Sequence, residues 1–201
     1  MNLDTVRKTF TDWAPFYNQT HSWTLPKRRT ARLALDIQPS DRVLDLACGT
    51  GLNFPHLREL VGDHGEVTGA DLTPAMLDIA HQLINAKGWK NVEVREADAA
   101  KLPFPDAVFN KVLISFALNI IPEYIRAIEE VHRVLIPGGR FVALEMRADM
   151  HSLPAWLPFL PHICAVDISH DMLAAIQHVF QEVDVRTYWM GLIFLAVAIK
   201  E

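Results

Sequence analysis

The residue types and spacing best suited to chemistry occur in a glycine-rich segment, 45–51 (DLACGTG), and at an aspartate further along the chain. Gly49 and Gly51 allow the main chain to approach a ligand closely because neither carries a Cβ. Asp71 follows Gly51 by 20 residues and ends a predicted strand, where its carboxylate can accept hydrogen bonds from ribose hydroxyls. This arrangement predicts a binding site for a cofactor that contains a nucleoside.

Positions 54 and 45 narrow the choice of nucleoside cofactor. A dinucleotide-binding turn requires a third glycine, whereas this chain has Phe54 at that position. The carboxylate of Asp45 disfavours phosphate groups and favours a ligand that carries an ammonium group. S-adenosyl-L-methionine combines adenosine with an ammonium and a sulfonium, and it is therefore the predicted cofactor. A nicotinamide-dependent oxidoreductase and a non-catalytic module that binds an adenosyl group are the alternative functions.

The glycine-rich segment is expected to follow the first strand of an alternating series of strands and helices. Predicted strands cover 42–46, 66–71, 91–95, 108–115 and 140–146. Helical segments separate them, and parallel strands require such crossover connections. Two further runs, 183–189 and 192–199, have the spacing of an antiparallel hairpin. The sequence therefore predicts an α/β fold with a Rossmann-like, doubly wound, mainly parallel seven-stranded sheet and a C-terminal antiparallel hairpin.

The first 40 residues predict a helical cap at the N-terminus. Apolar side chains recur every three or four residues along one helix face. They are Leu3, Val6, Phe10, Trp13 and Tyr17. A second helix is expected from the basic run at 27–32 to about residue 38, with its charges in solvent or against anionic headgroups. Thr73 and Ser169 are expected to cap the helices that follow them.

Several segments resemble the class I S-adenosylmethionine-dependent methyltransferases, especially the ubiquinone/menaquinone C-methyltransferases and the small bacterial phospholipid N-methyltransferases. The resemblance covers about residues 6–146 and includes 43–51 (VLDLACGTG), 96–104 (EADAAKLPF) and 133–140 (RVLIPGGR). It implies the same fold class and the same cofactor as the patterns above. The chain departs from the quinone enzymes at Asn18, where an aspartate is common.

The resemblance also implies roles for individual cofactor-binding residues. Those implied to line the methionine part are Ala47, Gly49 and Gly51, and those implied for the ribose and adenine are Asp71, Leu72, Met76, Asp98 and Ala99. The segment 115–118 (SFAL), with Ser115 at its start, is implied to lie where the fourth strand meets the sulfonium, and Tyr17 is implied to close over the cofactor. Asp45 joins this set because its charge suits the ammonium group.

A tyrosine and two histidines are the candidates for a catalytic role. Methyl transfer from a sulfonium is an in-line displacement, so the protein must mainly align the reactants and exclude water. Tyr17 and His21 are the predicted catalytic residues. His21 and His151 could accept a proton because imidazole titrates near neutral pH, and a surface or packing role is the alternative for each. Cys48 is expected to pack, and no metal site is predicted.

Length and composition predict a single domain that acts on a small molecule. The 201 residues, half of them hydrophobic, suffice for one core. We expect a cap at 1–40, a cofactor-binding core at 41–147, a lid or substrate segment at 148–168, and a helix with a terminal hairpin at 169–201. The net charge of −5 disfavours nucleic acid as a partner.

The predicted acceptor is a lipophilic small molecule or a lipid headgroup, either quinone-like or a phospholipid amine. The apolar stretch 153–163 (LPAWLPFLPHI) either packs against the sheet or faces such an acceptor or a bilayer surface. Two cysteines and the lack of a secretory signal favour a cytoplasmic location, with peripheral membrane contact as an option. The sequence carries no signal for an oligomeric state.

Overall fold

The computed structural model describes residues 2–146 and 169–201. The predicted lid or substrate segment at 148–168, which contains His151 and the apolar stretch 153–163, lies outside these residues. Within the described ranges, seven strands form one sheet. They are β1 Arg42–Leu46, β2 Glu66–Asp71, β3 Val92–Glu96, β4 Phe109–Ser115, β5 Leu135–Met146, β6 Val183–Tyr188 and β7 Ile193–Ile199.

The sheet has the strand order β3-β2-β1-β4-β5-β7-β6. Strands β1 to β5 pair in parallel, whereas β7 is antiparallel to both β5 and β6. The predicted fold, with its mainly parallel sheet and C-terminal hairpin, is confirmed. The direction of strand order reverses between β1 and β4, and α/β folds bind ligands beyond the carboxyl ends of the strands at such a position.

Helices cover both faces of the sheet in the described ranges. They are α1 Leu3–Trp13, α2 Tyr17–His21, α3 Leu25–Ala34, α4 Phe54–Val61, α5 Pro74–Lys87, α6 Tyr124–Val134 and α7 Met172–Val179. The first three form the predicted N-terminal cap. Alternation along β1 directs Leu44 into one core and Val43 into the other, as successive side chains of a strand must point to opposite faces. Not one of these seven helices is long and apolar enough to cross a bilayer.

Several element boundaries differ from those predicted. The helical stripe from Leu3 to Tyr17 is divided, because α1 ends at Trp13 and a single 3-10 turn separates it from α2. The helix α3 ends at Ala34 rather than near residue 38, and Asp36 then takes a left-handed conformation with φ of 52°. The strand β5 begins at Leu135 rather than at 140, because Leu135 pairs with Phe109 of β4 before the register shifts. Pairing with a neighbouring strand therefore extends β5 beyond the limit that the proline and glycines at 137–139 suggest.

Two helix caps also differ from those predicted. Asp171, and not Ser169, caps α7, because its carboxylate accepts a hydrogen bond from the Ala174 N–H at 3.1 Å. Thr73 precedes α5 as predicted, but its side chain makes no capping bond. The N–H of Thr73 instead donates to the carboxylate of Asp71 at 2.9 Å. Aspartate and serine are comparably good caps, so composition alone does not separate these choices.

Candidate functional site

A cleft of about 680 Å³, which includes the solvent at its mouth, lies at the carboxyl ends of β1, β2 and β4. Nine of the residues predicted for the site form part of its wall. They are Tyr17, Ala47, Gly49, Asp71, Leu72, Met76, Asp98, Ala99 and Ser115. The predicted residues Asp45, Gly51 and His21 are not part of this wall. The structure therefore brings residues from the cap and from four separate loops to one cavity.

Asp71, the last residue of β2, is hydrogen-bonded to the glycine-rich turn that follows β1. Its Oδ2 accepts a hydrogen bond from the Gly49 N–H at 2.8 Å, and its Oδ1 accepts one from the Thr73 N–H at 2.9 Å. Burial raises the pKa of Asp71, and these hydrogen bonds oppose that rise. Each carboxylate oxygen can accept more than one hydrogen bond. Asp71 therefore keeps acceptor capacity toward a ligand while it fixes the glycine-rich turn.

The glycine-rich turn depends on left-handed backbone conformations. Ala47 and Gly49 have φ values of 52° and 56°, and a non-glycine residue such as Ala47 rarely adopts this region away from functional sites. Gly51 has φ of 79°, and a Cβ there would lie 2.6 Å from the ring of Phe54. Gly51 thus permits the fully buried Phe54 ring to pack behind the turn. Phe54 occupies space that a third glycine would leave open.

The wall beyond β2 and β3 is mainly apolar. Leu72 and Met76 line it, and Met76 is almost completely buried. Asp98 supplies the polar group, and its Oδ1 accepts a hydrogen bond from the Ala100 N–H at 2.9 Å. An apolar slot with one oriented carboxylate suits a flat aromatic ring that carries an amino group.

The N-terminal cap closes the cleft from the other side. The ring of Tyr17 lies over Gly49, with its Cε1 3.8 Å from the position of a Cβ on that glycine. Asn18 accepts a hydrogen bond from the Thr50 hydroxyl, and Arg7 forms an ion pair with Glu96 at 2.7 Å. Asn18, which departs from the residue common in the quinone enzymes, thus fastens the cap to the glycine-rich turn.

His21 is engaged within its own helix. Its ring stacks on Tyr17 with centroids 4.0 Å apart. Its Nδ1 lies 3.1 Å from the Tyr17 carbonyl oxygen and 2.9 Å from the Thr20 hydroxyl. Burial lowers the pKa of His21, and the nearby Arg28 adds to this effect. The imidazole is therefore held neutral against Tyr17, outside the cleft wall.

A buried group of charged and polar residues lies behind the glycine-rich turn. Asn53 donates from Nδ2 to both carboxylate oxygens of Asp45, at 3.0 and 3.2 Å, and Arg32 donates to Asn53 Oδ1 at 3.2 Å. Burial raises the pKa of Asp45 to about 7, and the charges of Arg28 and Arg32 oppose that rise. The predicted exposure of the basic run is wrong for Arg28 and Arg32, which are 4% and 3% exposed.

Glu145 is a second buried acid, at the carboxyl end of β5. Its Oε1 accepts hydrogen bonds from the N–H groups of Ala117 and Leu118, at 3.0 and 3.1 Å. Its Oε2 is buried without a hydrogen-bond partner among the described residues. Burial raises the pKa of Glu145 to about 7. Because Ala117 lines the cleft, this carboxyl group fixes the loop at its floor.

The sequence-based site predictions do not include Arg28 and Glu145, which lie near the cleft, and they include Phe116 only as part of the segment 115–118. Phe116 lines the cleft with φ of 58°, and no local pattern indicates that conformation. Arg28 shares helical spacing with the buried Ala31 and Leu35, so periodicity could have placed it on the inner face. Glu145 ends an apolar strand at the sheet edge where ligands bind, which was also a usable signal.

A comparison with known protein families identifies the family of the chain. The sequence profile of the ubiE/COQ5 methyltransferase family matches residues 17–156, which is more than half of the chain. The chain belongs to this family. The matched range contains Tyr17, the glycine-rich turn and Asp71, and hence the elements that close and shape the cleft.

Curated relatives of this methyltransferase-family chain include two demethylmenaquinone methyltransferases. The Thermus thermophilus enzyme is 47% identical over 119 residues, covering 59% of this chain and 53% of that protein. The Geobacillus kaustophilus enzyme is 41% identical over 111 residues, covering 55% of this chain and 47% of that protein. The chain thus spans about half the length of these two relatives.

Solved structures with the same fold include several methyltransferases. A chain from the complex between the Haloferax volcanii Trm112 methyltransferase activator and a methyltransferase has a TM-score of 0.77 and 21% identity, with 96% of each chain covered. A SAM-dependent methyltransferase from Aquifex aeolicus has a TM-score of 0.65 and 22% identity, with 87% of this chain and 89% of that chain covered. At these identities the similarity establishes a shared fold.

Proposed function

We propose that the chain is an S-adenosylmethionine-dependent methyltransferase that acts on a lipophilic, quinone-like acceptor. The observation that carries this proposal is the Asp71 carboxylate, hydrogen-bonded to the Gly49 N–H at 2.8 Å in the cleft at the reversal of strand order. That contact combines an acceptor for ribose hydroxyls with a turn that approaches a ligand closely. Membership of a methyltransferase family supports the same conclusion.

The groups on the cleft wall fit an adenosyl cofactor. The Ser115 hydroxyl is buried with no hydrogen-bond partner among the described residues, and such a group requires a partner from a ligand or water. Leu72 and Met76 offer apolar surface to an adenine, and Asp98 offers a carboxylate. Asp71 binds the ribose, and Ala47 and Gly49 lie beside the methionine part. The cofactor supplies an electrophilic methyl group on its sulfonium.

The chain's own contribution is to orient the acceptor and to exclude water. Alignment of two reactants contributes up to roughly 7–11 kcal/mol to such a reaction. Tyr17 covers the glycine-rich turn, and the ion pair between Arg7 and Glu96 fastens the cap above the cleft. His21 positions the Tyr17 ring through their stacking. Asp45, which does not line the cleft, acts by holding Asn53 and the turn.

The quinone-like acceptor is favoured over a phospholipid amine by the names of the curated relatives, which are demethylmenaquinone methyltransferases. The alternative nicotinamide oxidoreductase is disfavoured because Phe54 fills the position of the third glycine. We assign residues 1–201 to one methyltransferase domain that works in the cytoplasm, with its acceptor drawn from a membrane.

The test is methyl transfer from deuteromethyl-labelled S-adenosylmethionine to a reduced, short-chain demethylated naphthoquinol, followed by mass spectrometry. A labelled quinol is expected, and phosphatidylethanolamine is expected to stay unlabelled in a parallel reaction. With the cofactor below its Kd, Asp71→Ala should lower the signal about 10- to 100-fold, whereas Asp78→Ala, which removes an exposed acid from α5, should retain it. Binding of the cofactor with no transfer to either acceptor would favour the non-catalytic module.

A further inference from the structure

Two large aromatic side chains and a methionine form an exposed apolar surface at the tip of the C-terminal hairpin. Trp23 and Trp189 are 47% and 51% exposed and stack with ring centroids 5.8 Å apart. Met190, next to Trp189, is 100% exposed. We call Trp23, Trp189 and Met190 the aromatic surface. Contiguous exposed groups of this kind mark interaction sites more often than scattered apolar residues do.

The turn of the hairpin holds two of these side chains outward. The Gly191 N–H donates to the Tyr188 carbonyl oxygen at 3.1 Å, and the two central residues, Trp189 and Met190, have φ values of 51° and 55°. Turns with two left-handed central residues prefer asparagine and glycine there. Bulky residues rarely adopt this conformation and concentrate at functional sites when they do. The hairpin thus carries apolar side chains at two positions where asparagine or glycine would strain the backbone less.

The aromatic surface continues into the cleft. The rings of Trp23 and Phe116 lie 6.2 Å apart, and Phe116 is part of the cleft wall. A line of three rings, Trp189, Trp23 and Phe116, therefore runs from the exposed hairpin tip to the cavity. These ring contacts connect the exposed surface to the wall of the cleft through aromatic side chains.

The charge beside the aromatic surface is basic although the chain as a whole is acidic. No aspartate or glutamate occurs between positions 13 and 35, whereas the net charge of the chain is −5. Of the four lysine and arginine residues in this stretch, Lys27 and Arg29 reach the surface, while Arg28 and Arg32 are buried. The ammonium of Lys27 lies 3.7 Å from the ring centroid of Tyr188, next to Trp189. Tryptophan beside basic side chains is the combination that favours the interface of an anionic bilayer.

We propose that the aromatic surface docks on an anionic lipid bilayer and that the lipophilic acceptor passes from the bilayer into the cleft along Trp23 and Phe116. The second part rests on the proposed function, whereas docking itself does not. Trp189 and Met190 insert between the headgroups, and Lys27 pairs with anionic lipid. A second copy of the chain or another protein on this surface is the competing occupant.

The test is flotation of the full chain with vesicles of phosphatidylcholine, with and without phosphatidylglycerol. We expect binding to the anionic vesicles and a blue shift of tryptophan fluorescence. Trp189→Ser with Met190→Ser should weaken binding by more than about tenfold because apolar burial is lost. Lys27→Gln should weaken it about fivefold at low salt and hardly at all at high salt. The matched control, Leu33→Ser with Ile125→Ser, removes side chains that are 64% and 45% exposed elsewhere and should bind normally.

Several results would overturn the proposal. It fails if the chain does not float with anionic vesicles, or if the hairpin and control variants bind equally. It also fails if sedimentation shows that the wild type and the control variant are dimers and that the hairpin variant is a monomer. Circular dichroism melting separates misfolding from loss of docking. Methylation of the short-chain quinol without vesicles distinguishes the two proposals: transfer without docking contradicts this inference alone, whereas docking without any transfer contradicts the proposed function and leaves the docking surface supported.

Discussion

Two acidic residues on neighbouring strands, Asp71 and Asp45, are stabilised in different ways. Asp71 accepts hydrogen bonds from two main-chain N–H groups close to it, those of Gly49 and Thr73, and it faces the cleft. Asp45 is buried behind the turn, where it depends on Asn53 and on two arginines from the cap helix α3. The first site is built by local backbone, and the second requires side chains that arrive from a separate element.

Because the two carboxylates are stabilised differently, we expect one to affect ligand binding and the other to affect stability. A carboxylate that is held by backbone N–H groups can bind a ligand without reorganisation. A buried carboxylate with charged partners instead affects stability, because loss of a partner leaves an uncompensated charge inside the protein. We therefore expect changes around Asp45 to act first on the free energy of unfolding, and changes at Asp71 to act first on cofactor affinity.

The largest effect is expected from Arg28→Ala. Arg28 is buried, and its positive charge lowers the pKa of both Asp45 and Glu145. Breaking a buried charge group by removing one partner destabilises a protein by about 3–5 kcal/mol. Urea denaturation at pH 8 measures the free energy of unfolding. The exposed neighbour is the control, and Arg29→Ala should change that free energy by less than about 0.5 kcal/mol. Equal effects of the two substitutions would show that Arg28 does not compensate the buried acids.

The next effect concerns the pH dependence of stability. Burial raises the pKa of Glu145 to about 7, above its ordinary value of 4.5, so the folded chain binds this proton more tightly than the unfolded chain. Stability is therefore highest below the unfolded pKa and declines as pH rises toward 7, by at most roughly 3 kcal/mol from this group. Glu145→Gln should flatten the profile of unfolding free energy between pH 5 and pH 8. A wild-type profile that rises over this range would contradict the assignment.

Residues whose role depends on neighbours in sequence were predicted, whereas those whose role depends on distant elements were missed. Strand β1, the turn at Gly49 and the position of Asp71 follow from a strand pattern and glycine spacing within one βαβ unit. The inward orientation of Arg28 and the fixed loop at Glu145 arise from packing of α3 and β5 against the sheet. In the same way, Asp45 was expected to face a ligand because its charge is visible in the sequence, whereas its partner Asn53 is not recognisable there.

A smaller effect is expected at the local site. Asp71→Ala removes the acceptor of the Gly49 N–H and the proposed acceptor for the ribose, and hydrogen bonds to charged groups contribute about 1.5–3 kcal/mol. Affinity for S-adenosylhomocysteine, measured by calorimetry, should fall about 10- to 100-fold. Asp45→Asn, which keeps the volume of the buried side chain, should change this affinity less than Asp71→Ala does. The reverse order would mean that the cofactor's ammonium reaches Asp45 and that the comparison between the two acids is mistaken.

The smallest effect is expected from His21, which belongs to neither acidic site. Its Nδ1 is engaged by the Tyr17 carbonyl and Thr20, and its ring supports Tyr17 by stacking. His21→Phe keeps a flat ring against Tyr17 and should leave kcat within about threefold of wild type, since general acid–base catalysis would contribute 10²–10⁴-fold. His21→Ala should mainly raise the KM for the cofactor, because Tyr17 loses its support. A fall in kcat of about a hundredfold in His21→Phe, with loss of a limb of the pH profile, would instead identify the imidazole as the base that removes a proton from the acceptor.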